Sequence, residues 1–189
     1  ALTRALPGVD AVEWLVIDDG SADRTVEVAQ AGGVHHVVRL PSHRGLARAF
    51  MAGLKSCLEA GAAIIVNLDT DNQYCADDIP KLIEPILQHP AEFVVSTRPV
   101  AEIEHFSPIK KWLNRLGSRV VQLTSKAEIP DAPSGFRAIS RDPALRINVF
   151  SEYTYTLETI IQAGQKGMGG LSVPIRVYTR TRPSRLVKS

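Results

Sequence analysis

The sequence has few of the residues on which several classes of protein depend. Its 189 residues include two cysteines, Cys57 and Cys75, whose separation fits neither a zinc motif nor a disulfide framework. We expect neither a signal peptide nor a membrane-spanning helix, because no apolar run of the sequence is long enough for one. The net charge of +2 is too small to indicate a nucleic acid as partner. We therefore expect a globular protein of a reducing compartment that binds no nucleic acid.

This composition predicts a cytoplasmic protein and leaves open a peripheral position at the inner face of a membrane. Residues 179–189 contain no acidic side chain but several basic ones, among them Arg182 and Arg185. A helix predicted over residues 107–125 carries an apolar stripe that includes Trp112, with basic residues mostly off the stripe. Such a helix either packs on a sheet or lies in a membrane interface.

The rest of the composition is ordinary for one globular domain, with 44% hydrophobic and 22% charged residues. In the first half of the chain, apolar runs alternate with amphipathic stretches. This pattern predicts strands over 12–17, 34–40, 63–69 and 93–96, and helices over 22–31, 45–60 and 77–89. Beyond residue 99 the alternation breaks down into helices over 107–125 and 152–165 and strands over 136–140 and 171–177. Alternating strands and helices are typical of an α/β fold with a mostly parallel sheet.

The apolar run from Ala63 to Leu68 ends in two carboxylates, Asp69 and Asp71, followed by Gln73. A run without polar alternation predicts a strand buried on both faces. Ligands of open α/β sheets bind beyond the carboxyl ends of strands, where two carboxylates can hold a hard divalent cation. A strand-end turn with solvated carboxylates is the alternative, and these residues by themselves leave both open.

Three motifs follow one another along the chain and together carry a family resemblance. They are Val16-Ile-Asp18-Asp19-Gly20-Ser21, Asp69-Thr-Asp71-Asn-Gln73 and Ser134-Gly135-Phe136-Arg137. With them the sequence resembles family 2 glycosyltransferases, in particular the dolichol-phosphate (polyprenyl-phosphate) mannosyltransferases. The resemblance implies a GT-A fold, in which a Rossmann-like, mostly parallel sheet has helices on both faces. It also implies one catalytic domain with a nucleotide-sugar-binding half, 1–98, and an acceptor-binding half, 99–189.

The activity that this resemblance implies is an inverting, metal-dependent sugar transfer. The donor would be a nucleotide diphosphate sugar, carrying mannose or glucose, and the acceptor a polyprenyl phosphate. Asp69, Asp71 and Gln73 would bind Mg²⁺ or Mn²⁺, which neutralises the charge on the leaving diphosphate. Both ions favour octahedral oxygen coordination, so the residues leave the choice between them open.

Donor binding is implied at both ends of the chain. Asp19, with Asp18 and Gly20 beside it, resembles the carboxylate that holds the base or ribose, although a turn followed by a helix cap would use the same residues. Asp69 would also bind the donor, through the metal. Arg182 and Arg185 resemble a basic C-terminal loop that closes over the donor diphosphate, and a solvated basic tail is the alternative.

The resemblance implies that Ser134, Gly135 and Arg137 bind the acceptor. It also implies that Arg98 lies near the transferred group. Arginine suits phosphate because its guanidinium binds two oxygens at once. Asp71, Arg98 and Arg137 are therefore the predicted catalytic residues. Glu158 receives a structural or positioning role, because a phosphate acceptor is already ionised at neutral pH and needs no general base.

One departure from the family pattern leaves other functions open. The family begins with a strand and an Asn-Glu loop, and this sequence contains neither before its first predicted strand. A sheet without that strand has unpaired edges and lacks part of the donor pocket. The alternatives are a sugar-nucleotide pyrophosphorylase, which would require a glycine-rich basic loop, and a non-catalytic module that binds nucleotide sugars.

Overall fold

The computed structural model describes residues 5–69, 73–88, 91–97, 134–152 and 154–178. In these ranges the strands are β1 Leu15–Asp18, β2 His36–Arg39, β3 Ile64–Asn67, β4 Phe93–Thr97, β5 Arg137–Ser140 and β6 Gly170–Pro174. The α-helices are α1 Thr25–Ala31, α2 Leu46–Glu59, α3 Ile79–Leu87, α4 Arg141–Arg146 and α5 Thr156–Gln165. A 3₁₀ turn, Ala76–Asp78, leads into α3. None of these helices has the length and apolar character needed to cross a bilayer.

The strands of the described residues form two sheets. β1 pairs in parallel with β2, and a second sheet has the order β3-β5-β4-β6. β5 runs antiparallel to β3 and β4, and β4 runs parallel to β6. β3, β4 and β6 therefore share one direction, and β5 alone opposes it in this sheet. This arrangement confirms the predicted α/β fold with a mostly parallel sheet.

The strand that precedes Asp69 is less buried than its apolar run predicts. Of β3, Ile65 is buried, whereas Ile64, Val66 and Asn67 are half-buried. Among the strands of the described residues, β3 lies at an edge of its sheet, where β5 is its partner. The prediction of burial on both faces was wrong because a sequence pattern does not reveal which strands become neighbours.

The core lies on both faces of the larger sheet. Successive side chains of a strand point to opposite faces, and β4 illustrates the result. Phe93 and Val95 pack with residues of α2 and α5, whereas Val94 packs with residues of α3. All three side chains are fully buried. β4 is therefore a central strand that is covered by helices on both faces of the sheet.

The helices begin later than their predictions. α1 begins at Thr25 rather than residue 22, and just before it the carboxylate of Asp23 accepts a hydrogen bond from the Thr25 N–H at 3.0 Å. α5 begins at Thr156 rather than residue 152. α4 was not predicted, since its six residues are too few to show helical periodicity. The helix predicted over 107–125 lies outside the described residues.

Candidate active site

Asp18, the last residue of β1, has a buried carboxylate with one well-bonded oxygen. Its Oδ1 accepts a hydrogen bond from the Ser21 N–H at 2.9 Å, and Arg39 Nε lies 3.3 Å from Oδ2. Oδ2 has no partner of good hydrogen-bond geometry among the described residues. Hydrogen bonds from Ser21 lower the pKa of Asp18, so this carboxyl is ionised at neutral pH. Oδ2 is therefore an ionised, buried oxygen whose one close partner among the described residues is the Arg39 guanidinium.

Asp19 is used differently, because backbone donors occupy both of its oxygens. The Arg44 N–H donates to Oδ1 at 2.7 Å, and the Gly45 N–H donates to Oδ2 at 2.9 Å. His43 Nδ1 also lies 2.8 Å from Oδ2. Asp19 thereby fastens the turn after β1 to the segment that enters α2.

Gly20 allows these two segments to come together. Its φ of +80° lies in the left-handed region that other residues rarely adopt. A Cβ at this position would lie 2.8 Å from the His43 backbone nitrogen. The sequence predicted Asp18, Asp19 and Gly20 as one donor-binding segment, and the structure gives each a distinct local role.

Asp69 lies directly against the glycine of the third motif. A Cβ built on Gly135 would come within 2.2 Å of Asp69 Oδ2, so only glycine leaves the carboxylate in this position. Asp69 follows the end of β3 by two residues, and Gly135 precedes β5 by two, and the two strands are paired. The antiparallel pairing of β3 and β5 thus brings together two motifs that are 66 residues apart.

Ser134 and Arg137, which flank this contact, are fully buried. Ser134 Oγ lies 2.6 Å from Ser96 Oγ, a hydrogen bond between β4 and the start of the motif. Arg137 Nε donates to the Ser134 carbonyl at 2.7 Å, and Nη1 donates to Thr159 Oγ1 at 2.5 Å. The guanidinium carbon lies 5.6 Å from the centre of the Tyr155 ring. The predicted acceptor-binding residues are therefore close to Asp69 but contribute to the interior of the domain.

Four polar residues near Asp69 were not identified from the sequence. They are Asn67, Tyr74, Tyr155 and Thr159, and their hydroxyl and amide groups bond Gly135 or Arg137. The available signal was the one polar residue, Asn67, inside the apolar run that precedes Asp69. Such a residue requires partners when it is buried, and its amide finds them in Gly135 and Tyr155.

Glu158 has the structural role that the sequence predicts. Its carboxylate accepts hydrogen bonds from the N–H groups of Phe150 at 3.0 Å and Ser151 at 2.9 Å. Both donors belong to the segment between α4 and α5. Glu158 therefore holds the segment that leads into α5, and Tyr155 is the last residue of that segment.

The structure describes part of the predicted metal site. Asp69 and Gln73 are described, and the Gln73 carbonyl accepts a hydrogen bond from the Tyr178 N–H at 2.9 Å. In the described ranges, no three carboxylate, histidine or cysteine side chains form a cluster that could hold a metal ion. Carboxylate and amide oxygens are the ligands that Mg²⁺ and Mn²⁺ prefer, and Gly135 keeps space at Asp69. Asp69 and Gln73 are therefore chemically suited to the predicted metal, and the described residues contain no complete site for it. The other predicted residues, Asp71, Arg98, Arg182 and Arg185, lie outside the described residues.

Comparison with known proteins identifies relatives of this chain. The family model for glycosyl transferase family 2 matches residues 3–147. The UDP-N-acetylglucosamine–dolichyl-phosphate N-acetylglucosaminyltransferase of Methanococcus voltae is 29% identical over 197 residues, covering 90% of this chain and 77% of that protein. The undecaprenyl-phosphate mannosyltransferase of Micrococcus luteus is 24% identical over 189 residues, covering 95% and 77%.

A solved structure shows the same fold. It is glucosyl-3-phosphoglycerate synthase from Mycobacterium tuberculosis in complex with Mn²⁺, UDP-glucose and phosphoglyceric acid. The TM-score is 0.69 at 20% identity, with 94% of this chain and 64% of that chain covered. A further structure of that enzyme contains Mg²⁺ and UDP. This chain therefore spans a little less than two thirds of the synthase.

Proposed function

Since the chain belongs to glycosyl transferase family 2, we propose that it moves a sugar from a nucleotide diphosphate donor to a polyprenyl phosphate. The relatives named above transfer N-acetylglucosamine or mannose to dolichyl or undecaprenyl phosphate, which supports this class of acceptor. Mannose or glucose is the sugar that we propose, with inversion at the transferred carbon.

One observation carries the proposal: Asp69 lies against Gly135. The carboxylate of the second motif and the backbone of the third share a single site, with no room for a Cβ between them. A sugar transferase needs donor and acceptor groups side by side, because the reacting atoms must approach to about 3–3.5 Å. The contact between the motif that we propose for the donor and the motif that we propose for the acceptor supports such an arrangement.

Asp69, Asp71 and Gln73 are the residues that we propose to hold Mg²⁺ or Mn²⁺. When bound, the ion would neutralise charge that develops on the diphosphate as the sugar leaves. Asp69 contributes a half-buried carboxylate at the end of β3. Arg182 and Arg185 would add positive charge to the same diphosphate from the C-terminal segment.

In this proposal Asp18 binds the base or ribose of the donor, and Asp19 supports the surrounding loop. Asp18 has an oxygen without a well-formed hydrogen bond among the described residues, and this oxygen can accept one from a ring N–H or a ribose hydroxyl. Both Asp19 oxygens already accept backbone hydrogen bonds. Asp19 would therefore position the pocket wall rather than contact the donor.

The acceptor is an already ionised nucleophile in this mechanism. A phosphate monoester has a second pKa near 6, so at neutral pH its oxygen can attack without a general base. Ser134, Gly135 and Arg137 would orient it, together with Arg98. We propose that the segment 107–125, for which the sequence predicts an amphipathic helix, contacts the membrane and would bring the polyprenyl chain to the site. Flotation with anionic vesicles at low salt tests that contact, and an enzyme that stays in the soluble fraction contradicts it.

Transfer by the full-length protein tests the proposal. UDP- and GDP-sugars are supplied with Mn²⁺ and a short polyprenyl phosphate, and the lipid-linked sugar is measured. We expect a lipid-linked product that disappears when EDTA is added. In the Asp71→Ala variant we expect both transfer and Mn²⁺-dependent donor binding to be lost, while the folded structure is kept.

Other outcomes separate the alternatives. The matched control is Asp77→Ala, because Asp77 is an exposed carboxylate of the 3₁₀ turn. Full activity in the Asp71→Ala variant would refute the metal assignment. Donor binding without transfer to any acceptor would favour a binding module, and nucleoside triphosphate formation from the donor and pyrophosphate would indicate a pyrophosphorylase.

A further inference from the structure

Gly135 is held at both of its backbone polar groups by side chains. Its N–H donates to the Tyr74 hydroxyl at 3.2 Å, and its carbonyl accepts a hydrogen bond from Asn67 Nδ2 at 2.8 Å. Asn67 precedes Asp69 by two residues, and Tyr74 follows Asp71 by three. The segment that carries the two carboxylates is thus bonded to Gly135 on each side.

These two side chains are themselves fixed in the core. Asn67 Nδ2 also donates to the Tyr155 hydroxyl at 2.7 Å, and that hydroxyl lies 3.4 Å from the Gly135 carbonyl. The Tyr155 ring stacks on Phe50 of α2, with ring centres 4.0 Å apart and an interplanar angle of 2°. Tyr74 is buried, and its ring centre lies 5.4 Å from that of Phe136. The position of Gly135 is therefore set by packed aromatic rings rather than by a mobile surface loop.

Gly135 in turn limits where Asp69 can lie. A Cβ built on Gly135 would lie 2.2 Å from Asp69 Oδ2, so even a methyl group there would displace the carboxylate. The Asp69 carboxylate therefore packs directly against the Gly135 backbone. Binding sites function when their ligating groups are held within about 0.5 Å of the required geometry, and the residues around those groups provide that precision.

We propose that Asn67 and Tyr74 are positioning residues that fix the Asp69 carboxylate through Gly135, for binding of the metal and the donor diphosphate. This inference rests on the proposed function. It predicts that the Tyr74 hydroxyl and the Asn67 amide affect the affinity for the metal, although neither residue is assigned as a metal ligand. Partners of metal ligands have this effect, and their loss commonly reduces metal affinity about 10- to 100-fold.

The test is Tyr74→Phe, which removes one hydroxyl and keeps the packed ring. Calorimetry on the full-length protein measures binding of UDP and of GDP across a range of Mn²⁺ concentrations. We expect the Mn²⁺ concentration for half-maximal nucleotide binding to rise about tenfold, with nucleotide binding in EDTA unchanged. Asn67→Ala should act in the same direction.

The matched control is Tyr178→Phe. The Tyr178 hydroxyl also donates a hydrogen bond, to Cys75 Sγ at 3.2 Å, but it does not bond Gly135. We expect this variant to keep the Mn²⁺ dependence of the wild type. A Tyr74→Phe protein that melts at a lower temperature but keeps the wild-type Mn²⁺ dependence would overturn the inference, since the hydroxyl would then be merely structural. If the wild type binds neither nucleotide in a Mn²⁺-dependent way, the proposed function fails and the inference fails with it.

Discussion

Arg137 illustrates how a residue that suits a ligand can also be required by the fold. Its side chain is fully buried, and its donors reach the Ser134 carbonyl and Thr159 Oγ1. The guanidinium lies near the rings of Phe93 and Tyr155, at 6.0 and 5.6 Å from their centres. A buried cation of this kind is stable only with several partners, so its position depends on the surrounding structure.

We expect Arg137→Lys to lower both stability and turnover. Lysine keeps the charge but cannot donate in two fixed directions, so Ser134 or Thr159 loses a donor. The free energy of unfolding should fall by about 1–3 kcal/mol, measured by urea titration. If Arg137 also orients the acceptor, turnover of polyprenyl phosphate at low temperature should fall more than donor binding does.

Arg141→Lys is the control, because Arg141 Nη1 also donates to backbone carbonyls, those of Leu58 and Ala62, at 3.2 and 3.1 Å. Arg141 is exposed, so this exchange should cost little stability. Equal losses of donor binding and turnover in the Arg137→Lys protein would show that Arg137 does not act on the acceptor.

At the scale of elements, α2 connects the two parts of the candidate site. One part is the end of β1 with Asp18 and Asp19, and the other is the contact between Asp69 and Gly135. α2 packs on β1, where a Cβ on Gly53 would lie 2.2 Å from Ile17 Cδ1. Its Phe50 stacks on Tyr155 beside Gly135. The first turn of α2 contains no acidic residue, and Asp19 supplies a negative charge from the end of β1. This charge is favourable because it lies near the positive end of the helix dipole.

Asp19→Ala should therefore loosen the start of α2. Two backbone N–H groups, of Arg44 and Gly45, lose a charged acceptor, which should cost about 1–3 kcal/mol of unfolding free energy. Hydrogen exchange at residues 43–46 should accelerate. The control is Asp10→Ala, an exposed carboxylate before β1. Unchanged exchange at residues 43–46 in the Asp19→Ala protein would contradict this role.

At the scale of the whole molecule, an ion pair between a buried carboxylate and an exposed arginine joins the start of α3 to the segment after β6. Asp78 is fully buried and accepts hydrogen bonds from the Arg176 N–H at 2.7 Å and from Nε and Nη2 at 3.0 and 2.8 Å. Lys81 Nζ lies 3.0 Å from the same carboxylate. Burial opposes ionisation of Asp78, but the Arg176 and Lys81 contacts outweigh it and lower the pKa to about 2.

This pKa predicts the acid sensitivity of the domain. The carboxyl has a usual pKa of 3.8, so its contribution to stability is complete above about pH 4 and is lost as the pH falls towards 2. A shift of this size corresponds to about 2 kcal/mol, reduced to about 1–2 kcal/mol because the Arg176 side chain is exposed. Asp78→Asn should therefore destabilise the protein at pH 7, and the difference from the wild type should shrink below pH 4.

Chemical unfolding at several pH values measures this difference. Asp77→Asn is the control, since Asp77 is exposed and lies next to the buried carboxylate in the same turn. A difference between the wild type and Asp78→Asn that stays constant from pH 7 to pH 2.5 would show that the charge of Asp78 does not provide the stability.

The sequence by itself determined the alternation of strands and helices and the position of Asp69 at a strand end. Both follow from local rules, since apolar periodicity and turn residues act over a few positions. It also predicted Ser134, Gly135 and Arg137 as a group, because the three are neighbours in the chain. Boundaries were less accurate, as at α1, where residues 22–24 precede the helix and Asp23 bonds the Thr25 N–H.

The tertiary structure alone decided what lies beside each of these residues. β5 pairs between β3 and β4 against their direction, which leaves β3 at a sheet edge and brings Gly135 against Asp69. Asn67, Tyr74 and Tyr155 bond that glycine from three separate segments. Such contacts depend on strand order and on packing between distant parts of the chain, which a local pattern does not encode. The sequence therefore predicts which residues are candidates for the site, and the pairing of β3 with β5 determines which residues surround Asp69.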